Sequence, residues 1–337
     1  MRRFLLVFAA IAALGFAQGP YKVLKTAKVG GAGGFDYVYA DEAGRRLYVA
    51  RTGTAPRIAV FDLDTLEPAG EIPGVSAHGV VVSAKSNHGF ASSKPVVMFD
   101  SKTLAEIKKI EVEGGPDGML YDAFNDRVFV LSHRAPNATV INAADGSIVG
   151  TIDLGGAPEQ AVSDGKGHIY VDIEDKANIA VVDAKTLTVT AHYDLTGKGG
   201  VCAGLAMDVK NNLLFAACRN PQNMVILNAG DGKILDALPI GAGTDGAAFN
   251  PKTSEAFSSQ GDGTLTVILE KSASSFVVEQ NLETMKTAKT LTLDSKTGHI
   301  LLIAAEFAAP ATPPAAGARP ARGQMVPDSF TVLVVGK

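Results

Sequence analysis

Seven positions spaced by 39 to 44 residues, Asp36, His78, Asp117, Glu159, Ala203, Asp245 and Lys289, hold most of the regularly placed titratable chemistry in this chain. Four carboxylates and an imidazole brought together could hold a divalent cation. With displaced pKa values they could also supply acid and base groups. A second set, Arg51, Arg57, His133, Arg134, Arg219 and Gln260, offers hydrogen-bond donors for anionic groups. The two cysteines, Cys202 and Cys218, are an even count and sit symmetrically about Lys210. A hairpin turning at Val209-Lys210-Asn211 places them opposite one another, where Cα atoms approach to roughly 4.5–5.5 Å and a disulfide is feasible. Two buried thiols are the alternative. No Cys-x-x-Cys-His motif is present, so covalent haem is excluded. Gly30-Gly31-Ala32-Gly33-Gly34 is followed by neither Lys-Ser/Thr nor a helical pattern and reads as a flexible connection, not a phosphate loop. Ser163 lies in no nucleophile-elbow context. No cofactor is expected beyond a possible divalent cation.

The elements that must position these residues come from a repeat. Arg46-Leu47-Tyr48-Val49-Ala50, then Ile58-Ala59-Val60-Phe61-Asp62, then Thr65-Leu66, form a unit that recurs down the chain. Its central residue reads Tyr48, Phe90, Phe129, Tyr170, Phe215, Phe257 and Leu301. Seven copies, each of short β-branched apolar runs broken by Gly, Asp and Asn, predict an all-β, seven-bladed β-propeller with four-stranded blades. The seventh copy ends at Ser329 to Val335 without a fourth strand, and Tyr21 to Val29 can supply it, closing the ring. In this register the seven spaced residues start the innermost strands and ring one mouth of the channel. The second set lies on the loops that open on the same face. Such positions are hydrated, so a solvated polar lining without further role is the other reading. The stretch 307–327, rich in Pro and Ala, reads as a flexible loop within the one domain, 18–337.

Met1-Arg2-Arg3 and the apolar run Phe4 to Phe16 have the form of a secretory signal, with cleavage expected after Ala17. The run is shorter than the roughly 18–20 residues that span a bilayer, so no membrane span is expected after cleavage. Removing Arg2 and Arg3 with it takes the formal charge from −4 to −6. A mildly acidic chain offers no general attraction to phosphate backbones, and nucleic acid is not the expected partner. A monomer, periplasmic or extracellular in a bacterial host, is expected.

The unit Leu-Tyr-Val-Ala…Ile-Ala-Val-Phe-Asp…Thr-Leu resembles the YVTN repeat of YncE-like propellers, relatives of the quinoprotein amine dehydrogenase beta chain-like superfamily, over about residues 21–337. The segments Leu214 to Asn220 and Phe257 to Thr264 are similar to those of secreted bacterial members. The resemblance implies a fold and a compartment and carries over no catalytic residue. The absence of Trp excludes the tryptophan docking motifs of quinone-dependent alcohol dehydrogenases and of WD repeats. The expected function is binding or scaffolding of an unidentified small molecule or protein through the funnel and loop face. A metal-dependent lactonase- or lyase-type enzyme using His78 with Asp36, Asp117, Glu159 and Asp245 is the alternative. Mutual repulsion of those acids is expected to make the mouth electronegative, with anions held by Arg51, Arg57, Arg134 and Arg219.

Overall fold

The computed structural model describes residues 19–309 and 323–337. Within them, 28 strands form seven antiparallel four-stranded sheets. Blade 1 covers Gly34–Asp41, Arg46–Thr52, Arg57–Asp62 and Pro68–Pro73, and blades 2 to 6 repeat that up-and-down order along the chain. Blade 7 takes three strands from the C-terminal part and its outermost from the start of the described chain, where Lys22–Lys28 pairs antiparallel with Thr331–Gly336. The expected closure is therefore present. The proposed signal segment lies outside the described residues. Among the described residues no helix is long and apolar enough to cross a membrane.

The hydrophobic core is divided into seven parts, one between each pair of neighbouring blades. Strand alternation accounts for this. Leu47 and Val49 face blade 7 with Leu301 and Phe330, whereas Tyr48 and Ala50, one residue out of phase, face blade 2 with Val80 and Phe99. Second and third strands are therefore apolar on both faces. Outermost strands are more exposed; in Glu106–Ile110 the exposed residues are mainly charged and discourage pairing with other sheets, whereas Ile148–Ile152 carries no charge.

The Asp or Asn that ends the third strand in blades 1 to 5 shapes the turn after it. Asp62 accepts from the amides of Asp64 and Thr65, as Asp100 does from Lys102 and Thr103 and Asp183 from Lys185 and Thr186. Four residues beyond that Asp or Asn the backbone is left-handed. Gly146 and Gly232 occupy this position in two blades, but Leu66, Leu104 and Leu187 do so in three. A left-handed leucine costs roughly 1–2 kcal/mol, while burying its side chain contributes roughly 1.5–3 kcal/mol. Leu66, packed between blades 7 and 1, is the clearest instance of that exchange.

The hairpin carrying the cysteines has the expected pairing with one refinement. Its register, Asp208 with Leu213 and Gly204 with Ala217, is symmetric about a point just after Lys210, and a bulge at Ala203 then brings Cys202 opposite Cys218. The two sulfurs are at bonding distance. The inserted stretch near 307–327 also has more order at its base than expected. Phe307 bridges to Met325, and Ala308 and Val326 donate to Gln324 and Glu306, extending the hairpin of blade 7. The remainder, 310–322, lies outside the described residues.

Candidate functional site

Five innermost strands, those of blades 1, 3, 4, 5 and 6, begin with a bulge, and their ring residues sit at it. In blade 1, Phe35 pairs with Arg51 and Val38 with Val49, which leaves Asp36 and Tyr37 facing the single residue Ala50. The same bulge puts Asp117 and Gly118 against Leu131, and Glu159 and Gln160 against Asp172. Asp245 is the extra residue in blade 6. Such bulges turn a side chain out of the sheet, here toward the channel axis. His78 and Lys289 precede their strands, and their carbonyls accept from the amides of Tyr37 and Asp245, so neighbouring blades fix one another.

The result is a closed circuit of charge. His78 Nδ1 lies 2.7 Å from Asp36 Oδ2 and 3.6 Å from Asp117 Oδ1. His133 Nε2 lies 3.5 Å from both Asp117 Oδ2 and Glu159 Oε1. The Tyr37 hydroxyl donates to Glu159 Oε2 at 3.1 Å. Arg219 donates to Glu174 Oε1 at 2.8 Å, to the Thr244 carbonyl at 2.8 Å, and to Asp245. Lys289 binds Asp245 in turn and stands 3.7 Å from Asp36, which completes the circle. Two groups, Asp36/His78/Asp117 and Asp117/His133/Glu159, each bring their potential ligand atoms within 4.8 Å of one another.

This pairing changes the expected electrostatics. The acids do not simply repel, because a cation stands between most of them. The Glu159 carboxylate, 3.5 Å away, holds the His133 imidazolium to about 9, and the Asp36 carboxylate likewise raises His78 against the opposing effect of burial. Asp117 is raised, chiefly by burial. Burial also acts upward on Glu159, but His133 and Glu174 outweigh it and bring that carboxyl down to about 2. Glu174, desolvated and hydrogen-bonded to Glu159, is pushed up to about 7, so the pair shares one proton near neutral pH.

Beneath the ring lies a cavity of about 270 Å³, with Glu159 and Tyr37 at its upper end and Tyr39, Tyr121, Met119 and Leu293 among its other lining residues. It is walled off from blade 5. Gln160 accepts from the amides of Leu205 and Ala247 and donates to the Ala247 carbonyl. The strands it joins approach so closely that a Cβ on Gly204 would lie 2.6 Å from the backbone of Gly246. Asp172, opposite Glu159 and Gln160 in the strand register, is fully buried and neither of its oxygens has a partner. Burial, aided by the charge of Glu159, pushes its carboxyl well up.

The second set of expected residues divides. His133 and Arg219 join the ring. Arg57 pairs with Glu71 at 3.4 Å, and Arg134 is exposed. Arg51 and Gln260 are not on the open face. Arg51 is 1% exposed, donates to the carbonyls of Gly30, Gly31, Ala32, Gly33 and Gly34, and lies 3.8 Å over the Phe330 ring. The glycine-rich stretch is thus a carbonyl cage around a guanidinium, held by Arg51 where a flexible connection was expected. A Cβ on Gly33 would meet the Thr52 carbonyl at 2.1 Å, which explains the glycine there. Gln260 is fully buried and bonds Ser258 and Thr264 within its own blade. Tyr37, Gln160 and Asp172 were not anticipated.

No family model and no curated protein matches the chain. It is similar to the solved structure described as "Structure of U3-55K", with a TM-score of 0.72 and 10% identity, covering 95% of this chain and 99% of that one. That likeness shows the fold alone.

Proposed function

We propose that this chain is an exported, monomeric YncE-like binding propeller whose ligand enters at the channel mouth and presents a small cationic group. The observation that carries this reading is the convergence of five carboxylates, Asp36, Asp117, Glu159, Glu174 and Asp245, directly above a cavity that Glu159 itself lines. Arg219 and Lys289 are drawn to Asp245 on one side of the mouth. Among the described residues, the ion pairs on the opposite side, around Asp117, are made with the two half-exposed histidines. An anion has less to gain there, since Arg219 is committed to Glu174 and Asp245 and Arg51 to the backbone. The disulfide-capable cysteine pair fits an oxidising compartment.

Calorimetric titration with Ca²⁺, tetramethylammonium and inorganic phosphate tests the reading. Binding of at least one of the cations, weakened in Asp117→Asn/Asp245→Asn, is expected. Tight phosphate binding at the mouth, or cation binding indifferent to both substitutions, overturns it. A lactonase- or lyase-type enzyme is favoured by one feature, the Glu159–Glu174 pair, which holds a proton near the pH where a general acid works. Lactone turnover abolished in Glu174→Gln would speak for that alternative.

A further inference from the structure

We infer that Asp117 is a bridging carboxylate for two borderline divalent metal ions of the Zn²⁺ type, one held with Asp36 and His78 and the other with His133 and Glu159. The inference deepens the proposed function and rests on its reading that the mouth takes cations. It begins from distances. A charge-assisted hydrogen bond from imidazolium to carboxylate is drawn in to about 2.7–2.9 Å. Three of the four contacts of Asp117 and its neighbours are longer, with His133 Nε2 at 3.5 Å from both carboxylates and His78 Nδ1 at 3.6 Å from Asp117. Those lengths suit ligands that share an ion. With bonds of about 2.0–2.1 Å, the edge of a tetrahedral zinc site is roughly 3.4 Å.

The two oxygens of Asp117 are directed differently: Oδ1 is the atom nearest His78, and Oδ2 the atom nearest His133. A carboxylate placed so, between two imidazoles, is the arrangement that bridges a pair of ions about 3.5–4 Å apart. Each site has three protein ligands, which leaves a position open toward the cavity or solvent, as zinc sites that take further ligands do. Asp36, at 2.7 Å from His78, has to withdraw by roughly 0.7 Å to reach that edge length and admit the first ion. The second needs no such opening.

The chemistry of the donors chooses the class of ion. One imidazole and two carboxylates per site suit Zn²⁺, Co²⁺ or Ni²⁺, whereas Ca²⁺ takes six to eight oxygens and gains nothing from nitrogen. The bulges make the carboxylate positions rigid, since Asp117 and Glu159 are fixed by strand pairing on both sides of each bulge. An independent observation points to the same wall. Asp172 faces the Glu159 bulge fully buried with both oxygens unpartnered, and a buried orphan of this kind calls for a water, an ion or a function beside it.

The test uses the full, disulfide-intact chain stripped of metal with a chelator. Zn²⁺ titration followed by calorimetry and metal analysis should give about two equivalents, and Co²⁺ should develop the visible absorption of low-coordinate nitrogen and oxygen ligation. His133→Ala and His78→Ala should each reduce two equivalents to one, and Asp117→Asn should weaken both. An excess of Ca²⁺ should leave Zn²⁺ bound in the wild type, a readout that needs no variant to fold. A Zn²⁺ stoichiometry unchanged by either histidine substitution, or displacement by Ca²⁺, overturns the inference. If Ca²⁺ or tetramethylammonium binds in an Asp117-dependent way while Zn²⁺ does not, the inference fails and the proposed function stands. If no cation binds, both fail.

Discussion

Asp294 shows what one buried charge does at the seam where the ring closes. Its side chain is 2% exposed and receives two hydrogen bonds, at 2.9 and 2.8 Å, from Arg45 of blade 1, which also binds Asp64. Burial opposes ionisation, but Arg45 and Thr297 hold the carboxyl down to about 2, below its ordinary 3.8. A depressed acid stabilises the fold above its unfolded pKa, and that contribution is lost as pH falls through its folded value. Asp294→Asn should therefore be less stable than the wild type by a constant margin above about pH 5, narrowing as pH falls toward about 2. Urea unfolding across that range measures it, and a margin that widens in acid would contradict the assignment. Asp294→Ala should cost roughly 1–3 kcal/mol, because Arg45 is left with Asp64 as its carboxylate partner and Thr297 loses its acceptor. The ring at the opposite mouth was legible from the repeat interval, yet Arg51 and Gln260 were misplaced by it. Both are followed by the residue that reaches the surface. Their equivalents, Ser93, Ser132, Ile173, Cys218 and Ala304, are all buried, whereas the next position supplies His133, Glu174 and Arg219. One step along a strand exchanges inside for outside. The run of small and apolar residues at the equivalent positions was a signal of this in the sequence.

The first strand of the described chain is exposed along its length, so its value to the fold lies in covering an edge and in the anchor before it. Tyr21 is 3% exposed and packs edge-on against Phe257 of blade 6 at 5.4 Å. Its backbone exchanges two 2.9 Å hydrogen bonds with the Gln280 side chain, and its hydroxyl binds Glu255. Glu255 also takes Lys337 at 2.9 Å, so both ends of the described chain converge on one buried acid. Tyr21→Ala should cost roughly 3 kcal/mol, in the range of large-to-small changes in cores. Deleting residues 21–28 should do more: lower the melting temperature further and promote association through the uncovered edge of Thr331–Gly336, visible as light scattering. An unchanged melting temperature after the deletion would show that closure contributes nothing. The strand was legible because it resembles other fourth strands. The bulges were not, since their mark is a local pairing defect that no periodic pattern records. Its trace is the residue after the ring position of each bulged strand, which is glycine in blades 3, 5 and 6 but Tyr37 and Gln160 where the channel is lined or blocked.

Over the whole molecule, stability is shared among seven separate cores, and each blade depends on its neighbours. The Cys202–Cys218 bridge lies within one hairpin of blade 5, with a separation of 16 residues. Its effect should be local and no more than roughly 3 kcal/mol. A Cys202→Ser/Cys218→Ser variant should unfold at lower denaturant with an unchanged urea slope, and intact mass should show no free thiol in the wild type. Two free thiols under non-reducing conditions would refute the bridge. The make-up of the ring has a further consequence at the mouth, one of sign. With Ala203 neutral, six ring positions can carry charge, and alternation around them would need three of each sign. Four are acids and two are bases, so Asp117 stands beside Glu159, and Glu159 nearest Asp245 across the gap. The mismatch is resolved by borrowing from a second tier: His133 is wedged into the first like-charged gap, and Arg219, with Glu174, into the second. Symmetry is thereby broken at two fixed places, so a sevenfold scaffold acquires a single distinguishable side, and the cationic ligand proposed above would have one orientation on it.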